Sequence, residues 1–231
     1  MKERNQIAEL IGHVGPDRFL CIYDEVNKLG NRDEVDTVLD VGGEEDTSTF
    51  LKLLFPRATS MTLNLQKIKL PSLIVGDAHL IPFKDNSFDV ILSGEIIEHL
   101  LNPLKFIREA KRVLKPQGVF IITTPNLASI FNRLLIVFGY SPLNYTVVPG
   151  QRIGLPRWFE VRDFGNQDHL RVFTPRALKQ LAVHNGMQCI GFRGVNVTNP
   201  SAKWKVLRKF LSHLLPSGMR EDIIAFFRKP A

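Results

Sequence analysis

The stretch Val35-Asp-Thr-Val-Leu-Asp-Val-Gly-Gly-Glu-Glu-Asp-Thr-Ser-Thr-Phe-Leu-Lys-Leu-Leu-Phe55 decides the fold class. Residues 37–41 form a short apolar run that breaks at Gly42-Gly43. An amphipathic segment follows, with Phe50, Leu51, Leu53 and Leu54 as its apolar members. A strand, a glycine turn and a helix in that order predict the opening βα unit of a nucleotide-binding α/β fold. Gly42 has no side chain and lets backbone approach a ligand. The new helix turns its N-terminal N–H groups toward the same spot.

Outward from this unit, composition sets bounds. The chain has 231 residues, 44% of them apolar, which suits one large domain with a packed core. No linker, low-complexity run or internal repeat divides it, so a single domain over 1–231 is expected. Cys21 and Cys189 are far apart and have no metal-ligand spacing, so they read as reduced thiols of a cytoplasmic protein. The N-terminal residues lead into no apolar region resembling a signal peptide. The net charge is +7. Residues 203–231 hold seven Lys/Arg against two Asp/Glu, so +5 of that surplus is local. A general nucleic-acid coat is not implied, and no specific nucleic-acid partner is expected.

Residues 1–34 read as a helical cap with two apolar stripes: Ile7, Leu10 and Ile11, then Phe19, Ile22, Val26 and Leu29. They are expected to cap the sheet or roof the ligand cleft, with structural packing as the leading role. Further strands are expected at 60–65, 73–77, 88–93 and 119–123. A helix opens at Asn102-Pro103, with Leu104, Ile107, Ala110 and Leu114 as its apolar face, and stops at 115–118. Another opens at Thr174-Pro175 and ends at Asn185-Gly186, and strands at 187–195 and 222–228 close the chain. Continuous apolar strands alternating with helices predict a mostly parallel sheet covered on both faces. Residues 126–173 follow no simple period and hold Tyr140, Tyr145, Trp158 and Phe159, with five Arg. A structured insertion of this length predicts a substrate lid.

By residue 126 the chain resembles a class I S-adenosylmethionine-dependent methyltransferase of the type 11 group. The matching stretches are Val38-Leu-Asp-Val-Gly42, Gly76-Asp-Ala-His-Leu-Ile-Pro-Phe83, Phe88-Asp-Val-Ile-Leu-Ser93, Glu98-His99, Arg112-Val-Leu-Lys-Pro-Gln-Gly-Val119 and Arg171-Val-Phe-Thr-Pro175. The resemblance implies a Rossmann-like seven-stranded sheet, mostly parallel, with the last strand antiparallel and helices on both faces. It implies S-adenosyl-L-methionine as cofactor. Carried over residue by residue, Asp40, Gly42 and Gly43 would approach the methionine moiety. Asn64, at the end of the second strand, would meet the ribose. Asp77 and Ala78 would hold the adenine, and Ser93, Gly94 and Glu95 would line the cleft beside the sulfonium.

Two departures stand out. The family loop reads Asp-x-Gly-x-Gly-x-Gly; here Asp40-Val-Gly42-Gly43-Glu44-Glu45-Asp46 keeps only its first glycine in place. The family's acidic ribose ligand is replaced by Asn64, where a carboxylate would offer a charged acceptor. Glu44, Glu45 and Asp46 suit a helix N-terminus but repel a pyrophosphate, which disfavours a dinucleotide cofactor.

Methyl transfer from a sulfonium is an in-line displacement that needs alignment and, for a hydroxyl acceptor, a base. His99 and His169 are the candidate catalytic residues, and no Cys/His cluster suggests a metal. Trp204, Leu207, Leu211 and Leu214 share a helical face flanked by Lys203, Lys205, Arg208 and Lys209. That pattern resembles an interfacial helix and suggests peripheral contact with an anionic membrane. The expected reaction is O-methylation of a small or amphiphilic acceptor, such as a lipid-linked sugar or an isoprenoid quinol. The alternative is a catalytically silent methyltransferase-fold protein acting as a binding partner.

Overall fold

A computed structural model of the chain describes residues 2–10, 16–30, 32–70, 72–143, 145, 153–156, 169–196 and 215–231. Its centre is a seven-stranded sheet: β1 (Thr37–Val41), β2 (Thr59–Asn64), β3 (Leu73–Val75), β4 (Phe88–Gly94), β5 (Leu114–Pro125), β6 (Gln188–Val195) and β7 (Asp222–Arg228). The strand order is β3-β2-β1-β4-β5-β7-β6. β1 pairs in parallel with β2 and β4, and β5 pairs in parallel with β4. Only β7 runs antiparallel, and it does so to both of its neighbours. This is the sheet expected from the sequence, including the antiparallel last strand.

Two apolar layers sandwich the sheet. On one face, α1 (Lys2–Leu10), α2 (Pro16–Leu29) and α3 (Glu45–Leu54) bury Ile7, Phe19, Ile22, Val26, Phe50 and Leu54. Ile7 of the first sequence stripe and Phe19, Ile22 and Val26 of the second are buried in this layer. On the other face, α4 (Pro103–Val113) and α6 (Pro175–His184) bury Phe106, Ile107, Ala110, Leu178 and Ala182. Asn102 accepts a hydrogen bond from Lys105 N and Thr174 accepts one from Ala177 N, so both expected N-caps form.

Some boundaries differ from the sequence reading. Phe106 and Val113, not Leu104 and Leu114, complete the buried face of α4. Leu114 already belongs to β5, and the segment expected to be a turn joins the strand through a register shift, with Gln117 in a left-handed conformation (φ 65°). The pairing of Phe88 with Leu114 extends the sheet and overrides the turn residues, as tertiary pairing commonly does. β3 is shorter than expected and ends at Val75.

The region expected to be aperiodic contains a helix, α5 (Ile130–Val137), capped by the Ser129 hydroxyl, which accepts from Asn132 N. Two buried asparagines latch it. Asn126 donates to the carbonyls of Gly218 and Arg220, and Asn132 donates to the Asn126 carbonyl while its Oδ1 accepts from Leu143 N. Trp158, Phe159, Arg152 and Arg157, and the basic segment 203–214, lie outside the described residues. Among the described residues no helix is long and apolar enough to cross a membrane.

Candidate active site

The strand order reverses direction between β1 and β4, and the crevice at the carboxyl ends of these strands is where such sheets bind ligands. Gly42 opens it at φ 76°, a conformation that favours glycine. A Cβ at Gly42 would lie 2.1 Å from Ile96 Cδ1. The glycine turn and the segment after β4 therefore face each other directly.

Asp40 lies beneath this turn. It is 1% exposed, and a Cβ on Gly43 would overlap its carboxylate. Among the described residues no hydrogen bond of ordinary geometry reaches either Asp40 oxygen, and burial pushes its pKa up to about 7, with the Thr47 hydroxyl pulling the other way. A buried, unpartnered carboxyl is costly in a folded protein and marks a place where a partner belongs. The acidic residues that replace the family glycines are exposed and occupy the start of α3. There they face the helix N-terminus, where negative charge is stabilised. Thr47 ties the turn, its hydroxyl accepting from Glu44 N and donating to Glu44 O.

Asn64 has a task the sequence did not reveal. Its Nδ2 donates to the Gly43 carbonyl at 3.2 Å and its Oδ1 accepts from Gln66 N at 2.9 Å, so it braces the glycine turn from β2. A carboxylate could not make the first of these bonds. Asp77 is exposed, and its Oδ1 accepts from His79 N and from His79 Nδ1. The His79 backbone N–H, then its ring, hold the Asp77 carboxyl below the usual range. Since His79 Nε2 accepts from Asn102 N, Nδ1 carries the ring proton of the neutral imidazole. Ala78 packs against the core beside them.

At the end of β4, Ser93 is fully buried with an unpartnered hydroxyl. Gly94 has room for a side chain, since a Cβ there would meet only Thr123 Oγ1 at 3.8 Å. Glu95 is held left-handed at φ 53°, a conformation uncommon outside glycine and frequent at functional sites. Its side chain accepts from the Thr123 hydroxyl at 2.9 Å and pairs with Arg18 at 3.4 Å.

Arg18 comes from α2, in the N-terminal cap, and its other partner is Asp222 of β7 at 2.6 Å. Burial opposes its charge, but Glu95 and Asp222 outweigh that and raise its pKa. Asp222 is pushed up to about 6 by burial and the Glu95 charge, against the pull of Arg18. No feature of the sequence around Arg18 or Asp222 marks either as a site residue. They meet because α2, packed beside β6, brings Arg18 to the start of β7.

The two candidate histidines come together. His99 ends a short 3-10 turn, Ile97–His99, and its ring lies 4.8 Å, centroid to centroid, from that of His169. His169 is buried and His99 is exposed. The backbone holds them in place: Arg171 N donates to the Glu98 carbonyl, and Leu127 N to that of Phe173. Between the rings' elements sits Glu98, 1% exposed, its Oε2 accepting from the Thr124 hydroxyl at 2.9 Å. Burial, then the Glu95 charge, hold Glu98 well above the usual carboxylate range. Sequence reading quoted Glu98 only as half of a motif; its burial against Thr124 supplies the role.

Comparison with known proteins agrees with this architecture. The profile of the methyltransferase domain family matches residues 54–122. A probable S-adenosylmethionine-dependent methyltransferase of Mycolicibacterium smegmatis is 29% identical over 151 residues, covering 64% of this chain and 51% of that protein. The ubiquinone biosynthesis O-methyltransferase of Bartonella bacilliformis is 29% identical over 121 residues, 52% of this chain and 42% of its own length. The chain thus spans about half or less of these curated relatives. A crystal structure of the Burkholderia thailandensis 1,6-didemethyltoxoflavin-N1-methyltransferase, with S-adenosylhomocysteine bound, superposes with a TM-score of 0.55 at 14% identity, covering 90% of this chain and 76% of that one. The family match over residues 54–122, the relatives and the sheet order all make this chain similar to class I S-adenosylmethionine-dependent methyltransferases.

Proposed function

We propose that the protein transfers a methyl group from S-adenosylmethionine to an oxygen of a small amphiphilic acceptor. The observation that carries the proposal is the pairing of two half-sites across one crevice. A buried carboxyl without a partner, Asp40, lies under the glycine turn, and an imidazole pair, His99 and His169, lies beyond the β4 end that this turn touches.

The residues fit the cofactor. Asp40 offers a desolvated anion to the ammonium of the methionine moiety, where such a contact is stronger than in water. Asn64 fixes the turn that would cover it. Asp77 and Ala78 present an acceptor and an apolar wall to the adenine. When bound, the cofactor supplies a methyl group on a sulfonium, already activated for displacement. The protein's part is to align the acceptor, exclude water and accept a proton. His169, buried beside His99, is placed to receive the proton of an acceptor hydroxyl.

The acceptor class rests on α5. Leu134, Ile136, Val137 and Phe138 are exposed, the last two by 77% and 72%. Four apolar side chains on a latched helix beside the crevice suit an amphiphile, and with a net charge of +7 they suit an anionic lipid surface. The quinone-pathway name of the Bartonella relative supports the same class. Calorimetric titration with S-adenosylmethionine and S-adenosylhomocysteine tests the core of the proposal. Binding that Asp40→Asn weakens by tenfold or more, roughly 1.4 kcal/mol, is expected. Folded protein giving no heat at millimolar cofactor would overturn it.

A further inference from the structure

We infer that Glu98, His99 and His169 form a binding site for one divalent transition-metal ion. One ligand atom from each lies within 4.8 Å of the others. Donors bound to a common zinc at about 2.0–2.2 Å sit roughly 3–4 Å apart, so modest side-chain rotation closes the set.

The second observation is Glu98 itself. Thr124 satisfies its Oε2, but Oε1 is buried and has no hydrogen-bond partner. A carboxylate with one oxygen fixed by a hydroxyl and the other left bare has the arrangement of a ligand oriented by its outer neighbour. Two imidazoles and a carboxylate are a borderline donor set. It suits Zn2+, Co2+ or Fe2+ better than Mg2+ or Ca2+ and keeps coordination positions open.

The location gives the ion a use, and this part rests on the methyl-transfer reading. An open position would hold the acceptor's hydroxyl oxygen and lower its pKa, as a Lewis acid does. The oxygen would then attack the methyl carbon while the carbon–sulfur bond breaks, the electron pair going to sulfur and the hydroxyl proton to solvent. In the loaded protein, His99 and His169 would act as ligands rather than as the base.

The test is direct. Protein stripped with chelator is titrated with Co2+, followed by its visible absorption, and with Zn2+ by calorimetry. One ion per chain is expected, with Glu98→Gln, His99→Ala and His169→Ala each weakening binding at least tenfold. His184→Ala, at the exposed end of α6, is expected to leave binding unchanged. S-adenosylhomocysteine titration of the same variants reports folding and is expected to be near wild type. No bound ion, or binding that survives the three ligand variants, would overturn the site. Loss in His184→Ala equal to that in the ligand variants would overturn it too. Metal binding without cofactor binding would instead defeat the methyl-transfer reading and leave the site standing.

Discussion

The two sides of the crevice solve the problem of buried charge in opposite ways. At the end of β1, Asp40 is buried with no cation among the described residues, the Thr47 hydroxyl being its neighbouring donor. Beyond β4, buried Asp222 and half-buried Glu95 gather around Arg18, which pairs with both. The first arrangement depends on a ligand to supply the positive charge; the second brings its own from another element. A lone buried carboxyl therefore points to a ligand more strongly than a buried ion pair does.

The comparison breaks most readily at Asp40. Its pKa is 3.8 in the unfolded chain and about 7 in the fold. Between these values the native state holds more protons than the unfolded one, so stability falls as pH rises through the window. Asp40→Asn removes this dependence. At about pH 8 the variant should exceed wild type by on the order of 3–4 kcal/mol, and at about pH 4 the two should agree. Urea unfolding across the range reads this directly. An unchanged slope in the variant would mean that Asp40 is not the titrating group.

Arg18 should behave in the opposite sense. Arg18→Met leaves Glu95 and Asp222 facing each other without their cation, which costs about 3 kcal/mol at neutral pH. The loss should shrink as pH falls below about 6, where Asp222 takes up a proton. A pH-independent loss would assign the effect to packing of the arginine stem instead.

Asn64→Asp sharpens the cofactor side. The sequence alone suggests that a carboxylate tightens the grip on the ribose. The structure shows a donor to the Gly43 carbonyl that a carboxylate lacks, so cofactor affinity should fall by about 1–2 kcal/mol. Calorimetry with S-adenosylhomocysteine decides, and tighter binding would show that the ribose contact dominates.

The smallest effects concern the surface. Lys205→Glu and Lys209→Glu should each weaken binding to anionic liposomes by about 1–2 kcal/mol, and added salt should weaken it in wild type. Val137→Ser with Phe138→Ser should lower the salt-independent part. Cosedimentation measures both, and no binding at low salt would leave a water-soluble acceptor as the better candidate.

The β1 half of the crevice was legible because it is local. Strand, glycine turn and helix start are neighbours in sequence, and the apolar run at 37–41, the Gly pair and the first-turn acids each have one physical reading. The sheet followed for the same reason, since continuous apolar strands alternating with amphipathic helices leave few ways to bury both faces. Even there, Leu114 changed element, because strand pairing with Phe88 outweighed the helical period.

The β4 half was legible only in part. Ser93, Gly94 and Glu95 were named from the resemblance, and His99 and His169 as candidate bases, but Arg18, Thr124 and Asp222 come from separate elements, and sequence spacing says nothing of which residues the fold will bring together. The two histidines were visible as residue types, and the Glu98-His99 pair as a motif. That His169, near the end of the 126–173 insertion, meets them was decided by backbone hydrogen bonds at Arg171 and Leu127. The sequence by itself determined the sheet, its cap and the glycine turn, which follow from periodicity and backbone chemistry. Only tertiary structure decided where charge is buried and what it meets, because that depends on desolvation and on long-range neighbours.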